Sequence, residues 1–144
     1  MLKPLEEFYC DTCGGLIETP KNGYLVFDSN EERKYHSFKI VHHQQRCITE
    51  LPRSYSLERI LSTDGLGILM SWVHLGSLEE RDVSEVASPK EFAEFFKRLH
   101  LPYYEEARKY FSLARRDGML DGNSIGWHSP NTLKDIIAEY SEED

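Results

Sequence analysis

The sequence predicts a mixed α+β fold, mainly helical, with an N-terminal β-hairpin docked on a C-terminal body of four to five helices. Three observations carry this expectation. All three cysteines and three of the six histidines lie before residue 50. The first fifty residues alternate β-rich runs with turn signals, and from Leu51 onward the apolar spacing becomes helical. Of the 144 residues, 40 % are hydrophobic and 12 % aromatic, which is enough apolar material for one real core and excludes a disordered chain. Residues 1–50 are expected as a docked subdomain and residues 51–144 as the helical body, together one compact unit.

The elements follow in order. Pro20-Lys21-Asn22-Gly23 is a turn signal, because Asn-Gly readily supplies positive φ. Tyr24 to Asp28 is β-rich, Ser29 to Glu32 is a polar turn, and Tyr35 to His42 is a second strand able to pair back on the first. A hairpin of this size is unstable alone. Ser56 to Leu61 reads as a short helix capped by Ser54 or Ser56, broken at Thr63-Asp64-Gly65, which can also cap the next helix. Leu66 to Leu75 leaves almost no polar face and is expected as a buried central helix ended by Gly76. Ser88-Pro89-Lys90-Glu91 has the form of a capping box. It opens a helix with Phe92, Phe95, Phe96 and Leu99 on one stripe and Glu94 with Arg98 as a surface pair. Leu101-Pro102 stops it. Pro102 starts the next, with Tyr103, Ala107, Tyr110, Phe111 and Ala114 at helical spacing and Gly118 as its C-cap. Ser129-Pro130 begins a last helix through Leu133, Ile136, Ile137 and Tyr140, and Ser141 to Asp144 is an acidic, frayed tail.

Charge narrows the function classes. Seventeen Lys or Arg stand against 25 Asp or Glu, for a net charge of −8. Proteins that neutralise phosphates usually carry the opposite sign. Residues 1–50 hold six basic and eight acidic side chains, and the only local basic patch combines Arg33, Lys34, Lys39 and Arg46. The run Leu66 to Leu75 is too short to span a bilayer. The N-terminus, MLKPLEEFYC, lacks the basic-then-apolar order of a signal peptide, so no membrane association and a cytoplasmic location are expected.

The cysteines supply the sharpest motif. Cys10 and Cys13, two residues apart, can aim both thiolates at one ion, and Gly14-Gly15 lets backbone amides approach the second sulfur. The stretch Phe8 to Gly15 resembles the knuckle of zinc-ribbon and treble-clef domains. That resemblance covers about eight residues and implies a tight CxxC-Gly turn between two strands. A second ligand pair can come only from Cys47 with His42 or His43, five and four positions before it. If Tyr35 to His43 is extended, His42 shares a face with His36, Phe38 and Ile40, and His43 shares the other with Tyr35, Ser37, Lys39 and Val41. The Phe38/Ile40 face is the one expected to be buried, which selects His42 over His43. The expected site is Cys10, Cys13, His42 and Cys47, a structural Cys3His zinc site; iron is the alternative ion. A disulfide framework does not suit an odd cysteine count. A thioredoxin-like pair would need its CxxC to open a helix, which Gly14-Gly15 disfavours.

Other residues carry less. Four ligands leave no open position for a catalytic water, and HExxH, Walker, GxGxxG and GxSxG motifs are absent. Were Cys47 not a ligand, His43, His36 and Glu50 would be the polar groups of a catalytic site. Asp117 to Asn123 fails the EF-hand order and reads as turns at Gly118 and Gly122. His74 is expected as a hydrogen-bonded core residue and His100 as a helix-end residue meeting carbonyls. The aromatic run from Phe92 to Phe111 is expected as core, with Tyr104 off the stripe and exposed. Arg108, Lys109, Arg115 and Arg116, mixed with Glu105 and Glu106, read as a solvated face. The expected function is a non-enzymatic protein-interaction module with a structural zinc, its partner a protein. The alternatives are a nucleic-acid-binding zinc-ribbon-like protein and an enzyme with an unrecognised site. Oligomeric state is open.

Overall fold

In the computed structural model, which describes residues 1–48, 50–119 and 129–141, the chain opens with two short strands. These are β1 (Phe8–Tyr9) and β2 (Leu16–Ile17), paired antiparallel with Phe8 opposite Ile17. A single 3-10 turn, Pro20–Asn22, then feeds β3 (Gly23–Ser29). β3 pairs antiparallel with β4 (Tyr35–His42), and β5 (Arg53–Ser56) pairs on the other edge of β3, giving the order β4-β3-β5. The fold is mixed α+β, with two small antiparallel sheets.

Gly23 is not in the positive-φ conformation expected of Asn-Gly; its φ is −127°. Space explains the glycine instead. A Cβ there would lie 2.6 Å from Leu57 Cδ2 and 3.4 Å from Ile17 Cγ2. β5 is a strand that the sequence does not announce, because Arg53 to Ser56 shows no clear apolar alternation and Ser54 and Ser56 both suit a helix cap. The cap itself is real: Ser56 Oγ accepts from the Arg59 amide and starts α1 (Leu57–Leu61).

The β3–β4 ladder contains a bulge. Val26 pairs with Lys39 and Asp28 with His36, so Phe27 faces two residues, and Ser37 takes φ +61°. The bulge resets side-chain alternation. Tyr35 and Phe38, three apart, both meet Phe27 and Trp72 with ring centroids 5.0 to 6.1 Å apart. His36 is thereby moved off the Phe38 face on which strict alternation placed it. Its Nδ1 lies 2.8 Å from Ser37 Oγ.

α2 (Thr63–Val73) begins one residue after α1, capped by Ser62 Oγ on the Gly65 amide. Thr63-Asp64-Gly65 is thus the first turn of the helix rather than a break. Nor is α2 buried all round. Gly65, Leu69 and Trp72 face the core, while Leu66, Met70 and Val73 are exposed. It packs on one side only, so its apolar content exceeds what the core uses.

Two glycines on this helix make a matched test. A Cβ at Gly65 would sit 2.1 Å from the Ile60 carbonyl oxygen, whereas at Gly67 it would meet nothing within 4 Å. Gly67→Ala is expected to raise stability by about 0.5–1 kcal/mol through helix propensity. Gly65→Ala is expected to lower it by about 1–3 kcal/mol through overpacking against backbone. Urea unfolding of the two variants checks both signs.

α3 (Pro89–His100) is capped by Ser88 Oγ on the Glu91 amide and ends at Leu101. The capping box is only half formed. Glu91 sends its carboxylate to the amide of Ser37, which the bulge frees from the ladder. The expected single helix after Pro102 is broken into α4 (Tyr104–Ala107), a 3-10 turn (Arg108–Tyr110) and α5 (Phe111–Arg116). It begins from Tyr103 in the left-handed region at φ +72°. Gly118, at φ +79°, closes α5 as anticipated. α6 (Pro130–Tyr140) buries Leu133, Ile136, Ile137 and Tyr140. Gly122, His128 and residues 142–144 lie outside the described residues.

Apolar side chains form two clusters. The first joins the hairpin strands to α1, α2 and α3, with Phe27, Phe38, Trp72, Phe92 and Phe95 in ring contact across residue 50. The second draws on α4, the 3-10 turn, α5 and α6. The aromatic run from Phe92 to Phe111 divides between them as core. Among the described residues, no helix is long and apolar enough to cross a membrane.

Candidate metal centre

β1 runs into Cys10, the chain reverses through Asp11 to Gly14, and β2 carries it away. Gly14 N–H donates to Cys10 O at 2.9 Å, and Cys10 N–H to Gly15 O at 2.9 Å. Gly14 holds φ +75°, which a side chain at this turn would resist. Gly15 N–H points at Cys13 Sγ from 3.4 Å, and a Cβ on Gly15 would press to 3.3 Å from that sulfur.

The second half arrives from the end of β4. Asp11 N–H donates to Ile40 O and Ile40 N–H returns to Asp11 Oδ2, both at 2.8 Å, so the knuckle is stitched to β4. Two residues on, His42 N–H donates to Cys10 Sγ at 3.4 Å. A turn then places Cys47, whose amide donates to Gln44 O at 2.9 Å and whose carbonyl accepts from Thr12 Oγ1 at 2.8 Å.

These elements bring Cys10, Cys13, His42 and Cys47 together, with one ligand atom from each inside a 4.8 Å sphere of mutual distances. His42 Nδ1 lies 3.3 Å from Cys13 Sγ and 3.7 Å from Cys47 Sγ. A tetrahedral ion with ordinary Zn–S and Zn–N bonds needs S···N separations of about 3.6 Å. The set is therefore close enough to bind a metal. The other ring nitrogen, Nε2, lies 2.9 Å from Leu16 O. A proton on Nε2 donated to that carbonyl leaves Nδ1 as a lone pair facing the sulfurs, the usual support for a ligating imidazole. His43 turns away, its ring 4.4 Å from that of Tyr24. Beyond the bulge the ladder runs regularly from Lys39 to His42, which keeps His42 on the face of Phe38 and Ile40, although Val41 on the other face is fully buried as well and not exposed as expected.

The electrostatics suit a cation. Burial pushes the Cys10 thiol up, but the amides of Cys13, His42 and Thr12 outweigh it and bring it to about 6. Burial and the neighbouring Cys13 and Cys10 sulfurs push Cys47 up. Three thiolates this close repel one another, and a bound positive ion removes that cost. All three are free thiols.

No family model, curated protein or solved structure matches this chain.

Sequence reasoning missed the knuckle's main anchor. Arg98, expected at the surface, is 6 % exposed. It grips Glu105 with two hydrogen bonds, Nε to Oε1 at 2.7 Å and Nη2 to Oε2 at 2.9 Å. Its Nη1 donates to Asp11 Oδ2 at 2.8 Å and its Nη2 to Tyr9 O at 3.3 Å. Glu105 also accepts from Tyr9 N–H at 3.0 Å and from Arg108 Nε at 2.8 Å. Burial opposes the Arg98 charge, yet Glu105 and Asp11 hold its guanidinium above the ordinary range. The expected solvated face is thus partly internal: Glu105 and Glu106 are buried, with Glu106 Oε1 accepting from the Leu2 amide. Glu94, left without Arg98, accepts from the Tyr104 hydroxyl at 2.8 Å. Tyr104 is buried rather than exposed, and burial with that carboxylate pushes its phenol up.

The outlying histidines stand apart. His100 Nε2 lies 3.2 Å from Ile60 O, a carbonyl of α1 rather than of its own helix, and burial lowers its pKa. His74, expected in the core, is half-buried at the end of α2, hydrogen-bonded to Gly76 N–H and Arg81 O.

Proposed function

We propose that Cys10, Cys13, His42 and Cys47 hold one structural zinc ion in a zinc-ribbon-like knuckle, and that the protein serves as a non-enzymatic protein-interaction module. The observation that carries this reading is the closed donor set. Three sulfurs and one imidazole nitrogen complete a tetrahedron, so no position remains for a reacting water. Soft thiolates with one imidazole favour zinc over harder ions. The bound ion would pin the CxxC turn to the end of β4, docking the hairpin against the helices and dividing the work between residues 1–50 and 51–144. Such a site needs reduced cysteines, which fits a cytoplasmic location.

The nucleic-acid reading has less support. Of the cations beside the knuckle, Arg98 and Arg108 are spent on Glu105 and Asp11. A mobility-shift titration at two salt concentrations separates the readings, because phosphate contacts bring steep salt dependence.

Elemental analysis of the purified chain tests the metal. Near one zinc per chain is expected, retained in His43→Ala and lost in Cys47→Ser and His42→Ala. A folded chain without zinc, or equal loss from both histidine variants, overturns the reading.

A further inference from the structure

We propose that the exposed apolar stripe of α2, with the turn that follows it, is a docking surface for a basic amphipathic helix of a partner protein. This rests on the interaction-module reading and gives it a surface and a partner chemistry.

Leu66, Met70 and Val73 stand at i, i+4 and i+7, so they line one face of α2. Leu75 and Leu78 extend the stripe past the helix end, at 51 % and 87 % exposure. Gly67 lies beside it on the helix, and the open space over its Cα leaves room for a partner to approach. The opposite side of α2 already supplies the core through Leu69 and Trp72. Leu66, Met70 and Val73 nonetheless keep 39, 47 and 39 % of their surface exposed, and exposed apolar surface of this kind marks an interaction site. The turn is held in place: Glu85 N–H donates to Trp72 O at 2.7 Å, and His74 Nε2 meets Arg81 O at 2.8 Å.

Charge selects the occupant. Carboxylates stand at both ends of the stripe: Glu58 and Asp64 beside the start of α2, and Glu79, Glu80, Asp82 and Glu85 after its end. The two arginines nearby are already engaged, Arg59 with Asp64 at 3.3 Å and Arg81 with Glu79 at 3.0 Å. Glu58, Glu80, Asp82 and Glu85 are exposed and make no ion pair among the described residues. A second copy would set one acidic rim against another, and an anionic bilayer would be repelled in the same way. A helix with an apolar row flanked by Lys or Arg satisfies both the stripe and its rim.

The probe is a labelled synthetic helix of about five turns, with Leu at i, i+4 and i+7 and Lys along its flanks, titrated into the zinc-loaded full chain by fluorescence anisotropy. Binding is expected, weakened about tenfold or more by Met70→Asp with Leu78→Asp, and weakened with a flatter salt dependence by Glu80→Lys with Asp82→Lys. A probe carrying Glu for Lys is expected not to bind. These side chains are exposed, and an unchanged near-ultraviolet circular dichroism spectrum confirms that the variants fold. Binding indifferent to the Met70/Leu78 pair overturns the assignment. Self-association or capture by phosphatidylserine vesicles, lost in that pair, gives the face to a second copy or a membrane and also overturns it. Zinc is measured on the same samples. A metal-free chain overturns the structural-zinc reading whatever the peptide does, and a zinc-loaded chain that ignores the peptide overturns the docking surface alone.

Discussion

Removing the metal from the intact chain, by chelation or by Cys47→Ser, is expected to lower the thermal midpoint by more than about 10 °C, a loss of about 3 kcal/mol or more. The knuckle is two paired residues per strand, with a turn that the CxxC ligands close. Its chain entropy is not offset by its own contacts. Cys47 lies in the turn after β4, joined to the knuckle by the Thr12 hydroxyl, so without the ion that turn loses the tie from its sulfur to Cys10, Cys13 and His42. The effect should spread into the first cluster, because Phe27 and Phe38 of the hairpin pack on Trp72. α6 is built into a cluster with no residue from the hairpin. Near-ultraviolet signal from the first cluster, which holds Trp72, should therefore be lost first, while part of the helical far-ultraviolet signal persists. An unchanged melting curve after complete metal removal contradicts this.

Arg98→Ala is expected to cost about 3–5 kcal/mol, the penalty for breaking a buried ion pair by removing one partner. Glu105 would lose both of its bonds to the guanidinium and keep Arg108 Nε at 2.8 Å as its cation, and Asp11 would keep the Ile40 amide and the more distant Arg108, 3.8 Å away. Replacing both partners, as Arg98→Met with Glu105→Leu, should cost clearly less than the single change, since no buried charge is then stranded. Urea unfolding at matched zinc content measures the difference. The single variant should also hold zinc more weakly, because Asp11 sits between the two knuckle cysteines and orients their turn. A single variant no worse than the double one overturns the account.

Much of the candidate site was legible because its chemistry is local. CxxC-Gly-Gly dictates a tight turn with amides facing a sulfur, and the spacing from His42 to Cys47 brings a second pair from one strand end. The histidine could be chosen only because alternation holds over the short stretch that mattered. Six residues upstream of His42 the same reasoning misplaces His36, since the bulge at Ser37 is a matter of how β4 meets β3 and α3. Helix caps at Ser56 and Ser88 were equally readable, each being a contact across three residues. The burial of α2 was not. Apolar content says a helix can be covered, not that a second layer exists to cover it.

By itself the sequence pointed to the candidate ligands Cys10, Cys13, His42 and Cys47, to the hairpin strands, and to the caps at Ser56 and Ser88 and the turn at Gly14. Only the tertiary structure decided that Arg98 is an internal cation anchoring the knuckle, that β5 completes the sheet, and that one face of α2 stays bare. The physical reason is distance along the chain. Arg98 meets Asp11 across 87 positions, and no local pattern of charges distinguishes a solvated pair from two halves of a buried network.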